Sequence, residues 1–65
     1  MPPYFFWVYR DRAGEWRWAL WSWGSGTKLA DSAESFSSLS SCEQNIDLVK
    51  RVAQGAPLRY PENTL

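Results

Sequence analysis

Histidine is absent from the chain, and cysteine occurs once, at Cys42. These two shortages remove the usual zinc, haem and iron–sulfur ligand sets, an internal disulfide, and most pairings of a nucleophile with a neighbouring base. An excess of one charge is also lacking: lysine plus arginine and aspartate plus glutamate both number 7, for a formal net charge of +0. Such a chain has no bulk electrostatic attraction to DNA, RNA or anionic lipid. Long apolar runs are missing too. Nothing approaches the roughly 18 residues of a membrane span, and Met1-Pro2-Pro3-Tyr4 lacks the basic-then-apolar order of a secretory leader. The expected address is cytoplasmic, with no membrane partner. At 65 residues there is material for one domain, 1–65, and no second core. No cofactor, no metal and no catalytic residue is expected, which leaves a non-enzymatic binding or assembly module. A chain near 60 residues buries only about 60% of its unfolded surface, so association with a second copy is an expected source of stability.

What the sequence does have is aromatic side chains, 17% of the total with 5 tryptophans. Tyr4 to Arg10 is almost wholly aromatic or β-branched and reads as a strand over 4–10. Asp11-Arg12-Ala13-Gly14 supplies turn chemistry, an aspartate that bonds forward and a glycine free to take positive φ, before a second strand over 15–23. If Asp11 and Glu15 flank a three-residue loop, Phe6 lies opposite Leu20, Val8 opposite Trp18 and Arg10 opposite Trp16. The other face then pairs Phe5 with Trp21, Trp7 with Ala19 and Tyr9 with Arg17. After the Gly24-Ser25-Gly26 turn, 27–32 forms a weaker strand whose register the sequence leaves open. Ser38 is the expected cap of a helix over 39–54, because Leu39, Cys42, Ile46, Val49 and Val52 or Ala53 recur at three- and four-residue steps and Gly55 and Pro57 end the run. The tail alternates apolar and polar between two prolines and suits a short edge strand over 57–60, with Leu58 and Tyr60 as its apolar members. The fold class is α+β: an antiparallel meander with one helix packed on the face carrying Phe6, Val8, Trp16, Trp18 and Leu20.

The run Tyr9-Arg10-Asp11-Arg12-Ala13-Gly14-Glu15-Trp16-Arg17-Trp18, with Leu20, then Ala30-Asp31-Ser32 and Phe36-Ser37-Ser38, resembles the YegP-like family of small uncharacterised prokaryotic proteins. The resemblance spans about residues 5–53 and is most specific in the hairpin. It implies a β3-α-β unit, of which this chain holds one copy. It further implies a homodimer in which the C-terminal strands, here Leu58 and Tyr60, are exchanged and one continuous sheet forms. Ala19 stands where the family usually has arginine, Trp21 where it has lysine, Trp7 where it has a polar residue, and Asn45 where a helix glycine is common. The first two of these departures take basic residues from the family's outer face and weigh against any function that depends on it. No biochemical activity comes with the resemblance.

Each residue that could carry chemistry has a plainer reading. Cys42 falls on the apolar stripe and reads as a small buried hydrophobe, with no histidine to activate it. Glu34, Glu43, Asp47 and Glu62 lie on loops or the polar helix face without a convergent partner for acid–base work. Gly24-Ser25-Gly26 lacks the lysine and the following helix of a phosphate cradle and is a turn. Arg10, Arg12 and Arg17 interleaved with aromatics are the ingredients of a single-stranded nucleic-acid platform, the alternative function for this hairpin. Zero net charge and the loss of basic character at Ala19 and Trp21 weigh against it.

The remaining feature is the outer sheet face, where Phe5, Trp7, Tyr9, Trp21 and Trp23 fall together. Contiguous bare aromatic surface marks interaction sites, and tryptophan and tyrosine dominate binding hot spots. The expected function is therefore a dimeric protein-interaction or scaffold module whose partner is a protein or an apolar ligand. The plain alternative is that the rings pack on one another or are covered by dimerisation or by the Ser-rich loop.

Overall fold

Aromatic and β-branched side chains favour the pleated surface, and the first two runs of them form the hairpin on which the molecule is built. The computed structural model describes residues 2–62. Strand β1 is Tyr4–Arg10, β2 is Trp16–Ser22, β3 is Lys28–Asp31, and helix α1 is Leu39–Ala53; the sheet order is β1-β2-β3, antiparallel throughout. The architecture is the α+β meander with one helix that the pattern predicts, each boundary lying within a residue or so of its expected place.

The first turn works as its residues require. Asp11 Oδ1 accepts from the Ala13 and Glu15 N–H groups at 2.9 and 3.0 Å, and Gly14 takes a φ of 80°, in the left-handed region that glycine enters without strain. The resulting register sets Val8 against Trp18 and Trp7 against Ala19, as the loop length implies. The third strand, whose register was open, places Ala30 against Leu20 but Lys28 against Trp21. Leu29 is therefore the extra residue of a bulge.

Ser38 caps α1, its hydroxyl accepting from the Ser41 N–H at 3.1 Å. The helix lays Cys42 and Ile46 on Trp18, with Phe6, Val8, Trp16, Leu20, Phe36 and Val49 packed around them. Phe36 also joins the sheet: its N–H and C=O exchange hydrogen bonds with Trp16 at 2.8 and 2.7 Å, tying the serine-rich loop to β2 ahead of the helix.

One expected element is not formed. Residues 56–61 carry no strand in the chain by itself, and Leu58 and Tyr60 are 82% and 71% exposed. A strand exists only through its ladder, and this segment follows a helix that ends without returning it to either edge of its own sheet.

Candidate interaction surface

Side chains alternate between the two faces of a strand. Since Phe6, Val8, Trp18 and Leu20 pack under α1, the register places Phe5, Trp7 and Tyr9 of β1 beside Arg17, Ala19 and Trp21 of β2 on the opposite face. Trp7 is 57% exposed, while Phe5, Tyr9 and Trp21 are half-buried. Trp23, just past β2, donates its backbone N–H to the Pro3 carbonyl at 2.8 Å and tilts its ring against Phe5, with centroids 4.6 Å apart. All five expected aromatics thus share one surface, Trp23 closing one end. At its centre Ala19 is only 4% exposed. Among the described residues no helix lies over this face, so the burial of so short a side chain is consistent with screening by its taller neighbours on the sheet.

The charges on this face are compensated. Arg17 donates to Asp11 at 2.8 Å and Lys28 meets Asp31 at 3.2 Å. The hydrogen bond from Arg17, helped by the Glu15 and Ala13 amides, holds the Asp11 carboxyl below the usual carboxylate range. The bond from Lys28 does the same for Asp31. Arg10 lies on the other face, over the Trp16 ring at 4.9 Å, and Arg12 is exposed at the turn. The three hairpin arginines are therefore spread over two faces and a loop tip, and only Arg17, across from Tyr9, stands among the outer aromatics.

Two arrangements were hidden in the sequence. Trp18, 4% exposed, donates its indole Nε1–H to Asn45 Oδ1 at 2.7 Å, which satisfies the one polar atom of the largest core side chain. The only signal was Asn45 itself, a polar residue close to the apolar stripe. Beside the core, β1 and α1 leave an open groove of about 260 Å³ lined by Val8, Ile46, Glu43, Asp47 and Lys50. Of the four carboxylates weighed above, Glu43 and Asp47 come together there. Cys42 is fully buried in the core, and burial pushes its thiol pKa up, as suits a packing residue. No helix among the described residues is long and apolar enough to cross a membrane.

Known proteins share this framework. No curated protein matches the chain. The solution structure of a protein from Haloferax volcanii matches with a TM-score of 0.84 and 36% sequence identity, covering 94% of this chain and 100% of that one. A family described as a domain of unknown function (DUF1508) matches residues 11–59, from the aspartate of the first turn to the arginine of the tail. The chain belongs to that family, the one known as YegP-like.

Proposed function

We propose that the protein is a non-catalytic interaction module, a cytoplasmic homodimer built from one copy of the unit per chain, that presents the outer sheet face to a partner protein or an apolar ligand. The observation that carries this reading is Trp7, more than half exposed on a face shared with four other aromatic rings, which no helix of the described residues covers. Large aromatic anchors ringed by compensated charges are the usual composition of a binding hot spot. The scattered positions of Arg10, Arg12 and Arg17 favour this over a nucleic-acid platform.

The decisive variant is Trp7→Glu with Trp21→Lys, compared with Trp7→Glu alone because Trp21 is half-buried. Both should stay folded and dimeric while losing the protein that the wild type captures by cross-linking. If the thermal midpoint collapses or the dimer dissociates, the rings are core and the face is no binding site. A fluorescein-labelled oligonucleotide in low salt should leave tryptophan emission unchanged; quenching would return the nucleic-acid reading to first place.

A further inference from the structure

Resting on the reading of the outer sheet face as a binding surface, we infer that its ligand is a proline-rich segment in the polyproline II conformation. About five of its residues lie along the rings of β1, and its carbonyls accept hydrogen bonds from the indole groups beside them.

What the face offers comes first. Among the described residues Trp18 alone of the tryptophans donates its indole N–H within the chain; the indoles of Trp7, Trp21 and Trp23 and the Tyr9 hydroxyl have no partner there. No buried side-chain nitrogen or oxygen of the described residues lacks a partner, so in half-buried Tyr9 and Trp21 these polar atoms reach solvent. An indole N–H donates and cannot accept, which makes the face a set of donors in apolar surroundings. Its charges are closed on themselves, Arg17 with Asp11 and Lys28 with Asp31. The complement of such a surface is a neutral ligand, apolar between regularly placed acceptors, that brings no donors of its own.

That demand separates the ligand classes. A purely apolar ligand would cover the indole N–H groups and leave their hydrogen bonds unmade. A saccharide hydroxyl donates as well as accepts, and Asp11 and Asp31, which could take its proton, are already engaged. A nucleic acid would bring phosphates to cations that are already paired. A run of prolines has a carbonyl at every residue, no N–H and an apolar ring. Held as polyproline II, it is extended before it binds and loses little entropy on docking to aromatic side chains.

Dimensions agree. From Phe5 to Tyr9 is four strand steps, about 14 Å, the length of about five polyproline II residues at a rise of about 3.1 Å. Trp21 stands diagonal to Trp7 with Ala19 between them, about 7–8 Å across the strands, so a segment running between β1 and β2 has an indole on either side. At one end of the face the chain already seats a proline, the Pro3 carbonyl accepting from the Trp23 backbone N–H at 2.8 Å.

The test titrates the full chain with acetylated, amidated decaproline, followed by tryptophan emission and calorimetry. Emission should shift to the blue on saturable binding, and the affinity should change less than about twofold between about 0.05 and 0.5 M salt, because no charge is used. A glycine–serine decapeptide, flexible and with an N–H at every residue, should bind at least about tenfold more weakly. Trp7→Phe keeps a ring but deletes the donor and should weaken decaproline binding about threefold to tenfold; Trp7→Ala should weaken it about thirtyfold. Lys50→Ala, in the groove on the helix side, should leave it unchanged, and the near-ultraviolet signal of Trp18 verifies that each variant is folded. Decaproline binding that survives Trp7→Ala overturns this site, and binding undiminished by Trp7→Phe overturns the hydrogen-bonded mode. A chain that ignores decaproline but takes cellohexaose, or cross-links to a protein, only while Trp7 is present overturns the ligand class and leaves the binding surface standing. A chain inert to all of these, whose thermal midpoint collapses in Trp7→Glu, overturns the surface itself.

Discussion

The two faces of the β1–β2 hairpin are made of nearly the same material and have opposite fates. The helix side carries Phe6, Val8, Trp16, Trp18 and Leu20; the other carries Phe5, Trp7, Tyr9 and Trp21. Aromatic content therefore does not decide which face is core. Two things do. The first is a complementary stripe, Cys42 and Ile46, delivered by a helix that Ser38 starts at the right place. The second is a polar handle: buried Trp18 finds Asn45 for its indole N–H, whereas Trp7, more than half exposed, needs no such partner. A ring becomes core when something covers it and its polar atom is satisfied under the cover.

The sharpest way to break the comparison is to truncate one tryptophan on each face. Trp18→Ala should cost about 3–5 kcal/mol, enough to unfold a domain this small, while Trp7→Ala should change stability by no more than about 0.5 kcal/mol. Chemical denaturation of both variants checks the pair, and equal losses would mean that the outer face is also core. Next in size is Asn45→Ala, which leaves the Trp18 donor buried without a partner and should cost about 1–3 kcal/mol. Replacing Trp18 by Phe in the same background should recover part of that loss, since the orphaned N–H disappears with the indole. Ser38→Ala, which removes the cap that positions the covering helix, should cost about 1 kcal/mol, read as a lowered denaturation midpoint.

How much of this was readable without coordinates depends on how local each determinant is. The hairpin register was, because Asp11, Gly14 and Glu15 define the loop and the loop length defines every pair. The helix and its core face were, because spacing and the Ser38 cap are sequence properties. The third register was not, since the bulge at Leu29 shifts it partway along the strand. Asn45 meeting Trp18 depends on how the helix rotates over β2, and the groove beside Val8 on how far it sits from β1; both are set by packing between distant segments. The aromatic face was legible as a set of residues, but its exposure was not, because alternation says which side chains share a face and nothing about what covers it. The tail is the extreme case: its alternating pattern is that of a strand, but no ladder partner reaches it among the described residues of the chain.

The smallest expected effect separates the faces by pH. Both shifted aspartates, Asp11 and Asp31, lie on or beside the outer face, and both are depressed chiefly by a hydrogen bond from a cation. A carboxylate whose folded pKa lies below its unfolded value contributes stability above the unfolded pKa and loses it as pH falls through the folded one. From about pH 4 downward, therefore, the clamp of Arg17 on Asp11 and the Lys28–Asp31 pair should release. The core has no titrating carboxylate among the residues packed on Trp18, so it should hold. Asp11→Asn isolates the charge, because an asparagine oxygen can still accept from the Ala13 and Glu15 amides while its pull on Arg17 is weakened. The variant should melt slightly below the wild type at pH 6, and the gap should narrow as the pH falls through the folded pKa of Asp11. A gap that persists in acid would show that shape and neutral hydrogen bonding, rather than the ion pair, hold the turn; a near-ultraviolet signal from Trp18 that collapses along with the gap would show that the two faces melt as one.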